Sequence, residues 1–305
     1  MRSDKIAGIT AAVMLLVGCA SGSNVPNQNP SEDKPLVVAT FTVLASIASE
    51  IAGDRVEVRS LIKTGAEVHG YEPTPSDIRS VADADLIIYN GFGLEGWFGK
   101  FSRHTDAPIA RVTEGITEIY IDGYSGSVVN PHVWMSPTDA AKIAENIAKE
   151  FIKLDPDGAE YFEKRASEFS SKLETMRESA IQEIAQLPED SRALVTCEGA
   201  FSYLTRDLGL SEKYLWPVNA EQQVRPRTLA SVIDFVRDSK VKAVFCESTV
   251  NDSTMQGVAR ETGAEFGGTL YVDSISEANG PVPTFLQLLE YDISLIVNAL
   301  ASSVA

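Results

Sequence analysis

The chain has 305 residues, 44% of them hydrophobic, with 43 acidic against 26 basic side chains and a formal net charge of −17 at neutral pH. So acidic a surface disfavours nucleic acid and anionic lipid as partners and concentrates cations nearby. The length allows two domains of ordinary size, and beyond the N-terminal leader no stretch approaches the roughly 20 apolar residues of a transmembrane helix.

The leader opens with Arg2 and Lys5, runs through the apolar stretch Ile6 to Val17 and stops at Leu16-Val17-Gly18-Cys19. That layout is a secretory signal, too short to span a bilayer as a mature helix. Leu-Val-Gly-Cys resembles a bacterial lipobox, in which Cys19 is lipidated and becomes the mature N-terminus; the alternative is an ordinary cleaved signal with a chance cysteine. Residues 1–19 are therefore expected to be a lipoprotein signal peptide. Residues 20–35, rich in Ser, Asn and Pro with almost nothing to bury, should form a flexible tether. The leader carries a net +1, so its removal takes the formal charge to −18. The expected location is outside the cytoplasm, lipid-anchored and facing the periplasm or the cell exterior.

From Leu36 the pattern alternates. Leu36 to Phe41 reads as a strand and Thr42 to Gly53 as a helix; Val56 to Ile62 is a second strand, leading into the loop Lys63 to His69. Pro73, Pro75 and a capping Ser76 introduce a short helix, followed by strands at Leu86 to Tyr89 and Ile109 to Val112. Strand and helix in alternation predict a parallel α/β lobe over residues 36–135.

Residues 136–188 are rich in Ala, Glu, Lys, Ile and Leu at helical spacing, and Asp155-Pro156-Asp157 breaks them in two. The second helix, Pro156 to Leu187, is long enough to act as a strut. The α/β rhythm returns over residues 189–305: strands end at Cys197, Cys246 and Val272, with helices at Ser202 to Leu208, Pro226 to Ser239, Asp252 to Gly263 and Pro283 to Leu300. The fold class is thus α/β, two lobes, each with a mostly parallel sheet flanked by helices, joined by one long rigid helix. Cys197 and Cys246 each end an apolar strand, and parallel neighbours would bring those ends together as a disulfide. Two buried free thiols are the alternative.

Ligands of open α/β sheets collect outside the carboxyl ends of the strands. His69 lies on the loop after the second strand, and His132 lies between the polar loop Tyr124 to Ser127 and the helix cap at Ser136. Glu198 follows the strand ending at Cys197, and Asp273 follows Tyr271-Val272. Two histidines from one lobe would face two carboxylates from the other, a donor set for a divalent cation. Each also has a structural reading: a loop histidine in an ordinary hydrogen bond, a carboxylate capping a helix. Glu221 and Glu247 compete with Glu198 for the inward position. His104, in a polar stretch, reads as solvent-exposed.

Several blocks occur in order: Gly65-Ala66-Glu67-Val68-His69, Pro73-Thr74-Pro75-Ser76-Asp77-Ile78, Asn130-Pro131-His132-Val133-Trp134-Met135, Glu198-Gly199-Ala200-Phe201-Ser202-Tyr203-Leu204, and Tyr271-Val272-Asp273-Ser274 through Gly280-Pro281-Val282-Pro283. Through them the chain, from about Val37 to its end, resembles the metal-binding solute receptors of bacterial ABC importers, and within them the manganese and iron group. The resemblance implies metal ligands at His69, His132, Glu198 and Asp273, and a long backbone helix between the lobes. It also likens Cys197 and Cys246 to the disulfide of the cyanobacterial manganese receptors. Zinc receptors of this family commonly have a third histidine where this chain has Glu198, and many have a histidine-rich loop before the second ligand. Here the loop Glu114 to Val129 has no histidine. The resemblance therefore implies Mn2+ as cargo, with Zn2+ or Fe2+ as alternatives, and an ABC permease with its ATPase as partners. It further implies a protein that acts as a monomer and is not an enzyme; an adhesion lipoprotein with a structural metal is the reading from another class.

Overall fold

The computed structural model describes residues 34–121, 128–218 and 224–301. The leader with Cys19, most of the tether and Glu221 lie outside the described residues, as does the side chain of His104.

The first lobe begins with β1 (Leu36–Ala39), buried along its length, and α1 (Thr42–Ala52). It continues through β2 (Glu57–Ser60), α2 (Pro75–Ser80), β3 (Leu86–Tyr89), α3 (Phe98–Phe101) and β4 (Ile109–Arg111). These strands form one parallel sheet in the order β2-β1-β3-β4. The central β1 and β3 are apolar runs because both of their faces are covered, whereas β2 at the edge alternates between exposed and half-buried residues. The expected cap of α2 moves by two residues: Thr74 receives the amide of Asp77, and the Asp77 side chain answers the Thr74 amide, a capping box with Pro75 at the first helical position. Ser76 is inside the helix. The short α3, placed by packing of Trp97, Phe98 and Phe101, has no periodicity of its own to announce it.

Two helices follow. In α4 (Pro137–Leu154) the Ser136 hydroxyl accepts the Asp139 amide as the cap. After a single turn at Pro156–Gly158 comes α5 (Ala159–Ile184), 26 residues and about 39 Å at ~1.5 Å per residue. The expected start at Pro156 is tighter 3-10 backbone. Phe162, Ala166, Phe169, Leu173, Ala180 and Ile184 form its buried stripe at helical spacing. Along it α5 packs on α4 and α1.

The second lobe contains β5 (Ala193–Glu198), α6 (Ser202–Leu208), β6 (Ser211–Trp216), α7 (Pro226–Asp238), β7 (Ala243–Glu247), α8 (Ser253–Thr262), β8 (Glu265–Leu270) and α9 (Phe285–Ala301). The α5 strut also packs on α6 and α9. Here the sheet departs from one continuous ladder: β5 pairs with β6 and β7 with β8, both parallel, while β5 and β7 lie side by side without a ladder between them. At their carboxyl ends Cys197 and Cys246 are joined by a disulfide, with Cα atoms 4.8 Å apart, about the spacing of neighbouring strands. The amide of Glu198 turns to the Glu247 carboxylate, 3.2 Å from both oxygens, instead of to a strand carbonyl.

The bridge closes a loop with a sequence separation of 49, for which chain entropy gives about 4 kcal/mol. A double Cys197→Ser, Cys246→Ser variant is expected to lose stability on that scale in denaturant unfolding. Peptide mapping without reduction should recover the two cysteines linked, and two free thiols at these positions would contradict the pairing.

No described helix is long and apolar enough to cross a membrane.

Candidate metal centre

The four sequence-predicted ligands stand at or beyond the carboxyl ends of parallel strands, two from each lobe. His69 stands on the loop after β2; its backbone amide donates to Glu67 Oε1 at 3.0 Å. His132 precedes a single 3-10 turn, Val133–Met135, that runs into α4. Glu198 is the last residue of β5, and Asp273 comes three residues after the end of β8.

These side chains converge. His69 Nε2 lies 3.2 Å from His132 Nε2, 3.8 Å from Glu198 Oε1 and 4.0 Å from Asp273 Oδ2. His132 Nε2 lies 3.9 Å from Glu198 Oε1 and 3.7 Å from Asp273 Oδ1. Donors about 2.1 Å from a central ion in tetrahedral array stand roughly 3.4 Å apart; His69, His132 and Asp273 offer ligand atoms all within 4.8 Å of one another, and Glu198 approaches both imidazoles at slightly more than that ideal spacing. The carboxylate separations are too long for direct hydrogen bonds. Asp273 Oδ1 is buried and accepts no hydrogen bond, an expensive state for a carboxylate that a cation would relieve. The site is nearly closed: side-chain exposure is 8% at His69, 3% at Glu198, 1% at Asp273 and zero at His132.

Neighbouring groups orient the donors. Asn130 Oδ1 sits 2.8 Å from His132 Nδ1 and also receives the His132 amide at 3.1 Å. An amide oxygen needs a hydrogen on Nδ1, which leaves the Nε2 lone pair facing the cage. The Asn130 amide nitrogen donates to Gly199 O at 2.7 Å and to Ser202 Oγ at 3.0 Å, beside Glu198. Trp134 packs edge-on against His132 and donates its indole N–H to Val272 O at 3.0 Å, next to Asp273. Gly199 is required by close approach, since a Cβ there would meet Pro217 O at 2.7 Å.

Burial sets the protonation. It pushes His132 well below the ordinary imidazole value, helped by the neighbouring His69, and lowers His69, with Glu67 and Glu95 opposing. It pushes the Asp273 carboxyl up to about 8, with Glu67 adding to the rise. Glu247 is also pushed up to about 8 by burial, its hydrogen bond from the Glu198 amide opposing. Neutral histidines are metal-ready, and the carboxyl proton is the one an ion must displace.

Of the rival acids, Glu247 lies behind Glu198 and holds its backbone. Cys197, Cys246 and Glu247 also lie close together, but cysteines spent in a disulfide offer no thiolate. Asn130 and Trp134, which orient the donors, belong to the block around His132 that carries the resemblance, but sequence reading assigned them no role of their own. Their signal was proximity to His132, and only the fold shows what their side chains reach.

A two-lobed α/β protein with imidazole and carboxylate donors meeting in its cleft is a metal-binding receptor in class. The chain belongs to the ZnuA family, described as zinc-uptake complex component A periplasmic, whose profile matches residues 37–299. It is 43% identical to the iron-binding protein YfeA of Yersinia pestis over 298 residues, covering 97% of this chain and 95% of that protein. It is 31% identical to the manganese ABC transporter substrate-binding lipoprotein PsaA of Streptococcus mitis over 299 residues, 95% of this chain and 96% of that one. Among solved structures, a Mn-bound periplasmic metal binding protein from Candidatus Liberibacter asiaticus superposes with a TM-score of 0.81 at 37% identity, covering 88% of this chain and 100% of that one. The periplasmic zinc binding protein TroA of Treponema pallidum gives 0.80 at 26%, covering 88% and 99%.

Proposed function

We propose that the protein captures Mn2+ between its lobes with His69, His132, Glu198 and Asp273 and delivers it to a membrane permease driven by a cytoplasmic ATPase. A lipid on Cys19 would hold it at the membrane outside the cytoplasm. The observation that carries this reading is the convergence of four buried donors from both lobes on one ion-sized gap, with Asp273 Oδ1 left unpartnered. Two carboxylates neutralise a divalent cation, and either can bind through one oxygen or two, which suits an ion that takes more than four ligands. No chemistry on the ion is called for.

Fe2+ is the second reading, favoured by the 43% identity to an iron-binding relative. Both ions are harder than zinc and better matched to oxygen donors. Raw affinity does not decide, because Mn2+ stands lowest in the Irving–Williams order and Zn2+ is expected to bind tightly in a test tube. The deciding experiment is metal analysis of the protein isolated from its own compartment, followed by competition among Mn2+, Fe2+ and Zn2+. Manganese is expected as the ion carried. Iron alone would select the second reading, and exclusive zinc occupancy would defeat both.

A further inference from the structure

On either side of the metal centre, a polar side chain next to a candidate ligand is hydrogen bonded across the cleft. On the His132 and Glu198 side this is Asn130, bonded to Gly199 and Ser202. On the His69 and Asp273 side it is Ser274, only 3% exposed. Its hydroxyl accepts the Gly65 amide at 2.7 Å and the Thr42 hydroxyl at 3.2 Å, and donates to Ile275 O at 2.8 Å. The amide of Ile275 donates in turn to Thr42 Oγ1 at 3.2 Å. One donor and two acceptor sites are all a serine hydroxyl has, and each is used.

The two sides differ in what stands behind them. Asn130, on the irregular approach to α4, reaches Gly199, one residue past the end of β5, and Ser202, the first residue of α6, so its partners lie at the edges of regular elements. Ser274 joins two segments without helix or strand, the loop from Leu61 to Thr74 and the stretch from Tyr271 to Thr284. Gly65, with φ at +77°, sits inside the turn from Lys63 to Ala66 that leads to Glu67, whose carboxylate holds the His69 amide. Thr42 is the first residue of the buried helix α1 and supplies a fixed point.

We propose that Ser274 is a positioning residue for metal retention: its hydroxyl ties Asp273 to the loop that carries His69, so that these two ligands close on the ion and leave it as one unit. The His132 and Glu198 half stays assembled, and release runs through the Ser274 side. The proposal rests on the ligand set given above.

The test is the rate at which a chelator strips Mn2+ from the full chain, for the wild type, Ser274→Ala, Thr42→Val and Thr42→Ser. Ser274→Ala is expected to release the ion about tenfold faster, since hydrogen bonds of this kind are worth about a factor of ten. Its association rate should change by less than about twofold, because the cage donors remain. Thr42→Val should move release in the same direction, and Thr42→Ser, which keeps the hydroxyl, should restore it. A purely structural loss would lower stability without that rescue. In the wild type, Mn2+ should slow hydrogen exchange at the Gly65 and Ile275 amides together. Unchanged release from Ser274→Ala, or protection of one amide without the other, overturns the proposal. Should Ser274→Ala fail to fold, equal release from Thr42→Val and wild type overturns it instead. Mn2+ retained at full strength by His69→Ala would contradict the ligand set and not the role of Ser274.

Discussion

Asn in place of Asp273 is expected to weaken Mn2+ binding by at least about 100-fold, the upper end of what losing even a supporting residue does, while making the metal-free protein more stable. The two effects have opposite signs and a common source. In the metal-free fold the Asp273 carboxyl is buried with Oδ1 unpartnered, and its pKa rises from 3.8 to about 8. At neutral pH the unfolded chain carries this group ionised and the folded chain must protonate it, which destabilises the fold by a linkage ceiling of roughly 4 kcal/mol. Asparagine has no such proton to take up, but it is still a buried polar group, so a gain of ~2 kcal/mol is expected. A 100-fold loss of affinity removes ~2.7 kcal/mol of metal-dependent stabilisation at saturating ion. Thermal melts of both proteins at pH 7, with and without Mn2+, separate the terms: the variant should melt higher than wild type without metal and gain far less from it. An undiminished Mn2+ shift in the variant would remove Asp273 from the ligand set.

The sequence is most legible where one face or both faces of an element decide its pattern. The strands at Leu36, Leu86 and Ala193 and the two helices broken at Pro156 follow from local apolar runs and one proline. What escapes is whatever depends on a distant partner. Thr74 and Ser76 are both plausible caps by residue type, and the choice falls to Thr74 because Asp77 is placed to complete the box. The seam between β5 and β7 carries the disulfide but no ladder, which apolar runs at 193 and 243 do not reveal. Position alone left Glu198 in competition with Glu221 and Glu247, and the family resemblance picked out His69, His132, Glu198 and Asp273; the structure sets both imidazoles beside the Glu198 and Asp273 carboxylates. The cross-cleft bonds of Asn130 and Ser274 were not legible, since their partners lie 69 and 209 residues away.

Mn2+ binding is expected to release about one proton per ion at pH 7, and affinity should fall about tenfold per pH unit below about 8. From the residue types alone, that decline belongs near the ordinary imidazole range. Burial moves it: both histidines are lowered and stay neutral at pH 7, while the carboxyl of Asp273 holds its proton up to about 8. A raised acid binds its proton in the folded state after the unfolded chain has lost it, so the folded state holds more protons between 3.8 and about 8. Metal-free stability therefore falls as pH rises through that window, with Glu247 contributing in the same sense. The lowered histidines act at the other end: below the ordinary imidazole value of 6.5 the unfolded chain takes up protons that the folded one refuses, and stability falls as pH falls. With Mn2+ bound, Asp273 stays ionised and its share of the alkaline slope disappears, leaving those of the other buried acids that burial raises, Glu247, Asp292 and Glu95 among them. Titration calorimetry in buffers of different ionisation enthalpy counts the protons, and Asp273→Asn should bring the count at pH 7 close to zero. A count near zero in the wild type would mean that the carboxyl is already ionised without metal, and the apo melts should then show no loss of stability between pH 5 and 8 attributable to it.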